Sequence, residues 1–403
     1  MLTVEQNRVC DAIVSRVNVL ITGPGGVGKS TIIKRVVTLD DIETGITATT
    51  GAAAILIGGK TLHSYLGIGL AKEDVYNLIP KIKPDAVKVW RNTQRLVIDE
   101  ISMMSAELLD KLDAVAKIIR KCTDPFGGIQ VVLSGDFLQL PCISGKFAFE
   151  ADCWSNLNLT IFHLTKIQRQ VDVAFQECLN RARFGLVTDS DVEYITSVND
   201  LVPNAGLLPT KILCMNVDVD EINAAQLAKL TSIETFTYKL EIEPTSATGK
   251  FKISQHCNAT GSLVLAVGAQ VMLLVNMKTL NLVNGSRGVV VDFEDDLPVV
   301  RFRNCVITVH YHGWEVYERK NRVATVYQIP LKLAWAITIH KSQGATIDCA
   351  TVDLNGVFEF GQAYVALSRV VSKQALIVKN ATRMSFRAHP KAIKFYETLK
   401  NGC

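Results

Sequence analysis

The first half of the chain repeats one arrangement of apolar and polar positions: a short β-branched run, a Gly-rich or acidic turn, and a stretch with helical spacing. VNVLI leads through a glycine-rich turn into STIIKRVV, and GITATTGAAAILI, RLVIDEISMMSAELLDKL and IQVVLSGDFLQL follow suit. Short apolar runs alternating with helices predict a parallel sheet with crossover helices. Catalytic groups on such a sheet gather at the carboxyl ends of its strands. From about residue 205, TKILCMNVDVDEINAAQLAKL restarts the pattern and predicts a second α/β domain. Between about residues 248 and 327 the texture changes to SLVLAVGAQVMLLV, NGSRGVVVDF, LPVVRFRN, CVITVHY and RVATVYQI. Dense short strands with turn signals predict a small barrel inserted in that domain. The α/β pattern returns with LKLAWAITIHKSQGATIDCATVDL.

Composition narrows the class without naming a task. The 403 residues are 48% hydrophobic and 20% charged, which excludes disorder and fibrous architectures. The longest apolar stretches, such as 263–267 and 269–275, fall far short of the roughly 20 residues of a membrane span. The N-terminus, MLTVEQNRVC, has no secretory pattern. Ten cysteines are scattered without a C-x-x-C pair, which predicts reduced thiols in an intracellular protein. A net charge of +4 is too weak to announce a nucleic-acid partner.

Chemistry enters at Gly23-Pro24-Gly25-Gly26-Val27-Gly28-Lys29-Ser30, which fits G-x-x-x-x-G-K-[ST] between a strand and a helix. Glycines let backbone N–H groups wrap phosphates, Lys29 offers a point charge to the outer phosphates, and Ser30, followed by Thr31, reaches a magnesium ion. Leu96–Glu100 is a buried strand ending in two carboxylates, Asp99 for the metal shell and Glu100 for the attacking water. Ser134–Pro141 (SGDFLQLP) places the amide of Gln139 at another strand end.

Taken in order along nearly the full chain, these motifs resemble the petite-integration-frequency (PIF) family of superfamily 1, class B DNA helicases. TVEQNRVCDAI looks like the family's adenine-reading segment, with Gln6 as its amide. TATTGAAAILIGGKTLHS resembles its single-strand contact motif and extension, which implies DNA contacts from Thr49, Thr50, Gly51, Thr61, His63 and Ser64. EISMMSAELLDKLDAVAKIIR with FGGIQVVLSGDFLQLP resembles the family's signature stretch; the usual second proline is replaced by Cys142. The resemblance implies that Gln139 senses the γ-phosphate and positions water with Glu100. It also implies that Arg169 and Arg369 reach that phosphate across the cleft from a second domain. AWAITIHKSQGATID resembles the motif linking nucleotide state to DNA, with Gln343 and Gly344 near the phosphates and His340, Lys341 and Ser342 near the strand. Asn284, Gly285 and Arg287 match the DNA-facing loop of an SH3-like barrel, although N-G is also a plain hairpin turn.

The implied fold is α/β. A first RecA-like domain spans 1–165 with a wedge insertion near 66–90, a second spans 166–247 and 328–403, and the SH3-like barrel spans 248–327. These parts consume nearly all of the length, with no accessory domain expected. The implied activity is ATP-dependent, magnesium-requiring DNA unwinding with 5′-to-3′ movement on single-stranded or forked DNA, G-quadruplexes or RNA–DNA hybrids. A monomer serving replication, repair, recombination or telomere maintenance alongside other replication or repair proteins is expected, without membrane contact, in nucleus, bacterial cytoplasm or viral replication site. From Val371 to the end, seven Lys/Arg face one acid, Glu397, and suit either a solvated helix or a backbone-tracking surface. Tyr65, Trp90 and Trp314 are stacking or wedge candidates, although large aromatics are more often core. Two other readings share the nucleotide motifs: a RecD-like motor subunit of a nuclease complex, and a non-motor protein whose nucleotide site only switches DNA affinity.

Overall fold

The structure is a computed structural model describing residues 2–36, 38–142, 145–197, 208–230, 234–244, 261–275, 277, 280, 282, 285–303, 305–318, 321–344, 346–347 and 349–401. The chain divides into two compact units, one of Met1–Ser197, Leu354–Lys373 and Asn380–Cys403, the other of Val198–Asp353 and Gln374–Lys379.

The first unit opens with α1 (Val4–Val14) on a capping box, in which Thr3 and Gln6 bond each other's backbone. β1 (Val19–Thr22), α2 (Lys29–Val36), β2 (Thr44–Ala48), α3 (Gly51–Leu56), β3 (Lys60–Thr61) and α4 (Leu62–Leu66) follow. Next come α5 (Val75–Leu78), α6 (Pro84–Asn92), β4 (Arg95–Asp99), α7 (Ala106–Arg120), β5 (Gln130–Gly135), β6 (Thr160–His163), α8 (Val173–Phe184) and α9 (Asp189–Thr196). The strands form a parallel sheet in the order β3-β2-β4-β5-β1-β6. Every residue of β1, β4 and β5 is buried, and burial on both faces explains why these strands read as continuous apolar runs.

The second unit carries β7 (Thr210–Leu213) and α10 (Asn216–Ala228), then β8 (Thr235–Lys239), β9 (Glu241–Pro244), β10 (Ser262–Ala266), β11 (Gln270–Leu273) and β12 (Arg287–Glu294). It continues with β13 (Leu297–Phe302), β14 (Val306–Thr308), β15 (His312–Glu318), β16 (Asn321–Gln328), β17 (Leu331–Leu333), β18 (Ala336–Thr338), α11 (Ile339–Ser342), β19 (Ala350–Asp353) and β20 (Leu376–Lys379). Its α/β part is the parallel sheet β18-β7-β19-β20. The β-rich part contains the antiparallel sheet β14-β13-β12-β11-β17, the pair β10-β8 and the sheet β15-β16-β9. It is wider than the expected 248–327, because β8 and β9 precede residue 248 and β17 follows residue 327.

Two late helices return to the first unit, α12 (Gln362–Leu367) and α13 (Pro390–Asn401). The expected assignment of 166–247 and 328–403 to the second α/β domain therefore differs from the packing. Segments 166–197, 354–373 and 380–403 belong to the first unit, where Ala392 and Tyr396 join the core of Trp90, Phe137 and Phe147. The basic stretch after Val371 is correspondingly structural in part: Lys373 is buried and donates to the Ser197 carbonyl, and Lys391 pairs with Glu150 at 2.6 Å.

The stacking candidates need correction. Trp90 is wholly buried and donates Nε1–H to the Leu66 carbonyl at 3.0 Å, so it anchors α6 in the core instead of meeting bases. Tyr65 is half-buried and donates to Thr93 Oγ1 at 3.0 Å. Trp314 is half-buried on β15, edge-on to His312. The eight cysteines among the described residues are free thiols, and among those residues no helix is long and apolar enough to cross a membrane.

Candidate active site

The loop between β1 and α2 is shaped by glycines that no other residue replaces easily. Gly26 and Gly28 sit at φ 85° and 87°, in the left-handed region. A Cβ on Gly28 would lie 2.4 Å from Gln6 Nε2, and one on Gly26 would lie 2.7 Å from Arg169 Cβ. Gln6 is buried behind the loop, with Nε2 donating to the Val27 carbonyl at 3.1 Å. The Lys29 ammonium donates to the carbonyls of Gly23 (2.7 Å) and Pro24 (2.9 Å). Burial lowers the Lys29 pKa, and the carboxylates of Asp136, Glu100 and Asp99 oppose that shift. Ser30 and Thr31 are exposed in the first turn of α2, the helix end whose dipole favours anions.

The two carboxylates ending β4 have different surroundings. Asp99 is buried, and its Oδ1 accepts from Ser134 Oγ (2.7 Å) and from Glu100 N (3.0 Å). Burial raises its pKa; those two bonds and the Lys29 charge pull it back. Glu100 is half-buried at φ 56°, ψ 46°, a costly conformation for a residue with a side chain. Thr49 fastens it: Oγ1–H donates to the Glu100 carbonyl at 2.9 Å and the Thr49 N–H donates to the Asp99 carbonyl at 3.2 Å.

Helix α12 meets the loop from the other side. Gly25 N–H donates to the Tyr364 hydroxyl at 2.9 Å. Arg369, 2% exposed, donates to the Val365 carbonyl and to Ser368 Oγ, both at 2.7 Å. Arg169 Nη1 donates to the Ser368 carbonyl at 2.8 Å, and its backbone N–H bonds Gly26 O. Burial, then the neighbouring Arg369 charge, pushes the Arg169 pKa down to about 9. Burial lowers that of Arg369, with Glu100 the foremost opposing charge. Both arginines thus pack in the same compact unit as the phosphate loop, where the sequence had placed them in a separate domain.

Gln139 is buried, with Nε2 3.4 Å from Asp136 Oδ2. Asp136 was not singled out from sequence, nor were Arg183, Tyr364 and Tyr396. Asp136 is wholly buried and forms a two-pronged ion pair with Arg183, whose Nε and Nη2 lie 2.9 and 2.8 Å from its two oxygens. Burial would raise the Asp136 pKa, but Arg183 outweighs it and holds the carboxyl below its ordinary range. The only available cue was GDF before Gln139; the partners lie 47 and 260 residues away.

The expected DNA contacts have mixed surroundings. Thr50 Oγ1 accepts from Ala53 N, and Thr61 Oγ1 accepts from Ser64 N, so both hydroxyls cap short helices, α3 beginning at Gly51 and α4 after Thr61. His63 is half-buried, which lowers its pKa, and Ser64 is exposed. In the second unit, Arg287 opens strand β12 and is 7% exposed, which corrects its expected place on a loop. Gly285 sits at φ 96°, and Asn284 lies outside the described residues. His340 is half-buried and Lys341 lies on α11. Ser342 is fully buried with its hydroxyl donating to the Ile339 carbonyl, so it is not turned to a strand. Gln343 is buried and Gly344 has φ 78°.

The chain is similar to known proteins along its length. Family models described as "PIF1-like helicase" and "DNA helicase Pif1, 2B domain" match residues 1–186 and 250–293. The chain is 39% identical over 415 residues to the ATP-dependent DNA helicase PIF1 of Homo sapiens, covering all of this chain and 64% of that protein. A crystal structure of Pif1 helicase from Candida albicans superposes with a TM-score of 0.88 at 35% identity, covering 99% of each chain. One of Pif1 helicase from Bacteroides, in complex with ADP-AlF3 and ssDNA, gives 0.76 at 31%, covering 100% of this chain and 98% of that one. The chain belongs to the PIF1-like helicase family.

Proposed function

We propose that the chain is an ATP-dependent DNA helicase: a DNA-stimulated ATPase that moves 5′ to 3′ along single-stranded DNA and unwinds duplex or G-quadruplex DNA during replication, repair or genome maintenance. The observation that carries this is the convergence of Lys29, Glu100, Gln139, Arg169 and Arg369 around one phosphate loop within one compact unit. The family relatives named as ATP-dependent DNA helicases and the relative solved with ADP-AlF3 and ssDNA support it.

The donor set fits a magnesium nucleotide: a glycine cradle with left-handed turns, an ammonium on the loop and a buried carboxylate beside it. Asp99 and Ser30 would hold the metal, and Gln6 would meet the adenine. A magnesium ion held there would supply positive charge against the phosphates. Lys29 binds those phosphates once it exchanges the Gly23 and Pro24 carbonyls for them. Glu100, on its strained backbone, takes the proton of the attacking water, and Gln139 orients that water. Arg169 and Arg369 stabilise charge spreading over the transferred group. Thr49 joins the single-strand motif to the Glu100 backbone, a direct mechanical link between DNA contact and hydrolysis. Thr49, Thr50, Gly51, Thr61, His63, Ser64, Asn284, His340 and Lys341 are the proposed strand-side residues, and forked DNA or RNA–DNA hybrids are further substrates.

Strand displacement on duplexes with 5′ or 3′ single-stranded tails tests the proposal. ATP-dependent unwinding of the 5′-tailed substrate is expected; no unwinding of either would refute helicase activity, and unwinding of the 3′-tailed substrate alone would refute the polarity.

A further inference from the structure

We propose that Tyr396 is a positioning residue for ATP hydrolysis: its hydroxyl fastens the strand end entering the phosphate loop to the segment carrying Gln139. The inference rests on the reading of Gln139 given above. The Tyr396 hydroxyl donates to Asp136 Oδ1 at 2.9 Å, so its remaining capacity is as an acceptor. Thr22 Oγ1 and the Phe137 N–H, at 3.3 Å, fill that capacity. Thr22 ends β1 immediately before Gly23, and Phe137 stands two residues before Gln139. One oxygen therefore ties the loop's entry to the sensor's strand end.

The rest of the cluster makes that tie rigid. Asp136 accepts five donors: two from Arg183, one from Tyr396, the Leu138 N–H at 3.2 Å and the Gln139 amide at 3.4 Å. The Gln139 contact is the longest of the five, so the amide is the member that can exchange partners while the carboxylate stays fixed. Arg183 lies over the Tyr396 ring at 4.6 Å. Next to it on α13, Phe395 stacks on Phe149 at 4.7 Å and meets Phe137 edge-on at 5.1 Å. A tyrosine needed only for core packing would have no use for three polar partners, and a phenylalanine would fill the same space. A displacement of about 1 Å in a catalytic group can cost on the order of a hundredfold in rate.

Steady-state, DNA-stimulated ATP hydrolysis by Tyr396→Phe, Gln139→Ala and the double variant tests this. Tyr396→Phe should lower kcat about tenfold and shift KM for ATP less than about twofold, and it should slow Gln139→Ala no further. Thr22→Val, which removes the hydroxyl's partner on the loop side, should lower kcat about threefold and carries the test if Tyr396→Phe does not fold. Unchanged kcat in Tyr396→Phe, or in Thr22→Val where it stands in, overturns the proposal, as do independent, multiplying effects in the double variant. Undiminished kcat in Gln139→Ala alone refutes the reading of Gln139, and the proposal with it, so the two failures are distinguishable.

Discussion

Two arginine–aspartate pairs lie at opposite ends of the same six-stranded sheet, and they differ in what their carboxylates hold. At the amino end, Arg95 opens β4 and grips Asp40 with two bonds of 2.8 and 2.9 Å, while its other donors go to Gln130 Oε1 and the Ile13 carbonyl. That pair sews α1 to β4 and β5, and among the described residues the hydrogen bonds of the Asp40 carboxylate go to Arg95. At the carboxyl end, the Arg183–Asp136 pair is as short and more deeply buried, yet its carboxylate also reaches Gln139 and Tyr396. A buried ion pair is weak evidence of purpose by itself, because removing one partner is costly at either end. Further partners separate a fastening from part of a catalytic site.

The sharpest contrast comes from the charges added at the carboxyl end. Arg369→Ala should lower kcat about a thousandfold while ATP and DNA still bind, as expected for an arginine acting on the transition state. Normal unwinding by that variant would refute the role. Arg95→Met should destabilise the protein by about 1–3 kcal/mol in thermal or denaturant unfolding, because Asp40 and Gln130 lose their partner, with the kcat of the folded fraction unchanged. A fall in kcat there would erase the distinction between the two ends. Thr49→Val, assayed without DNA, should lower kcat about tenfold through loss of one bond to the strained Glu100. An unchanged rate would detach Thr49 from catalysis.

Acid acts on both ends. The Asp40 carboxyl is held below its ordinary range chiefly by its hydrogen bond to Arg95, and Asp136 is held low by Arg183 against its burial. A carboxyl whose pKa is lower when folded contributes stability above the unfolded value of about 3.9 and loses it as pH falls through the folded value. The melting temperature should therefore drop below about pH 4, and Arg95→Met should remove only the share belonging to Asp40. An acid profile unaltered by that substitution would contradict the assignment.

What could be read from the sequence was local. The phosphate loop and the Asp99–Glu100 strand end sit in short segments where spacing and neighbours carry the message, the roles of Gln139 and the two arginines came from the resemblance to the PIF family, and the parallel sheet followed from uninterrupted apolar runs. The cluster beneath Gln139 joins residues from β1, α8 and α13, and no periodicity links positions 22, 136, 183 and 396. The compact units differ from the expected domain limits for a similar reason: β8 and β17 enter the β-rich part by pairing with distant strands, and α12 and α13 return to the first unit through side chains that look unremarkable in sequence. Counting charge after Val371 concealed that Lys373 is buried and Lys391 paired.

Turnover of ATP with and without single-stranded DNA, in wild type and Lys29→Ala, bears most directly on the proposed motor. Wild type should be strongly stimulated by the DNA, and Lys29→Ala should be folded but nearly inactive in both conditions. Turnover indifferent to DNA, or undiminished in Lys29→Ala, would contradict a DNA-driven ATPase built on this phosphate loop.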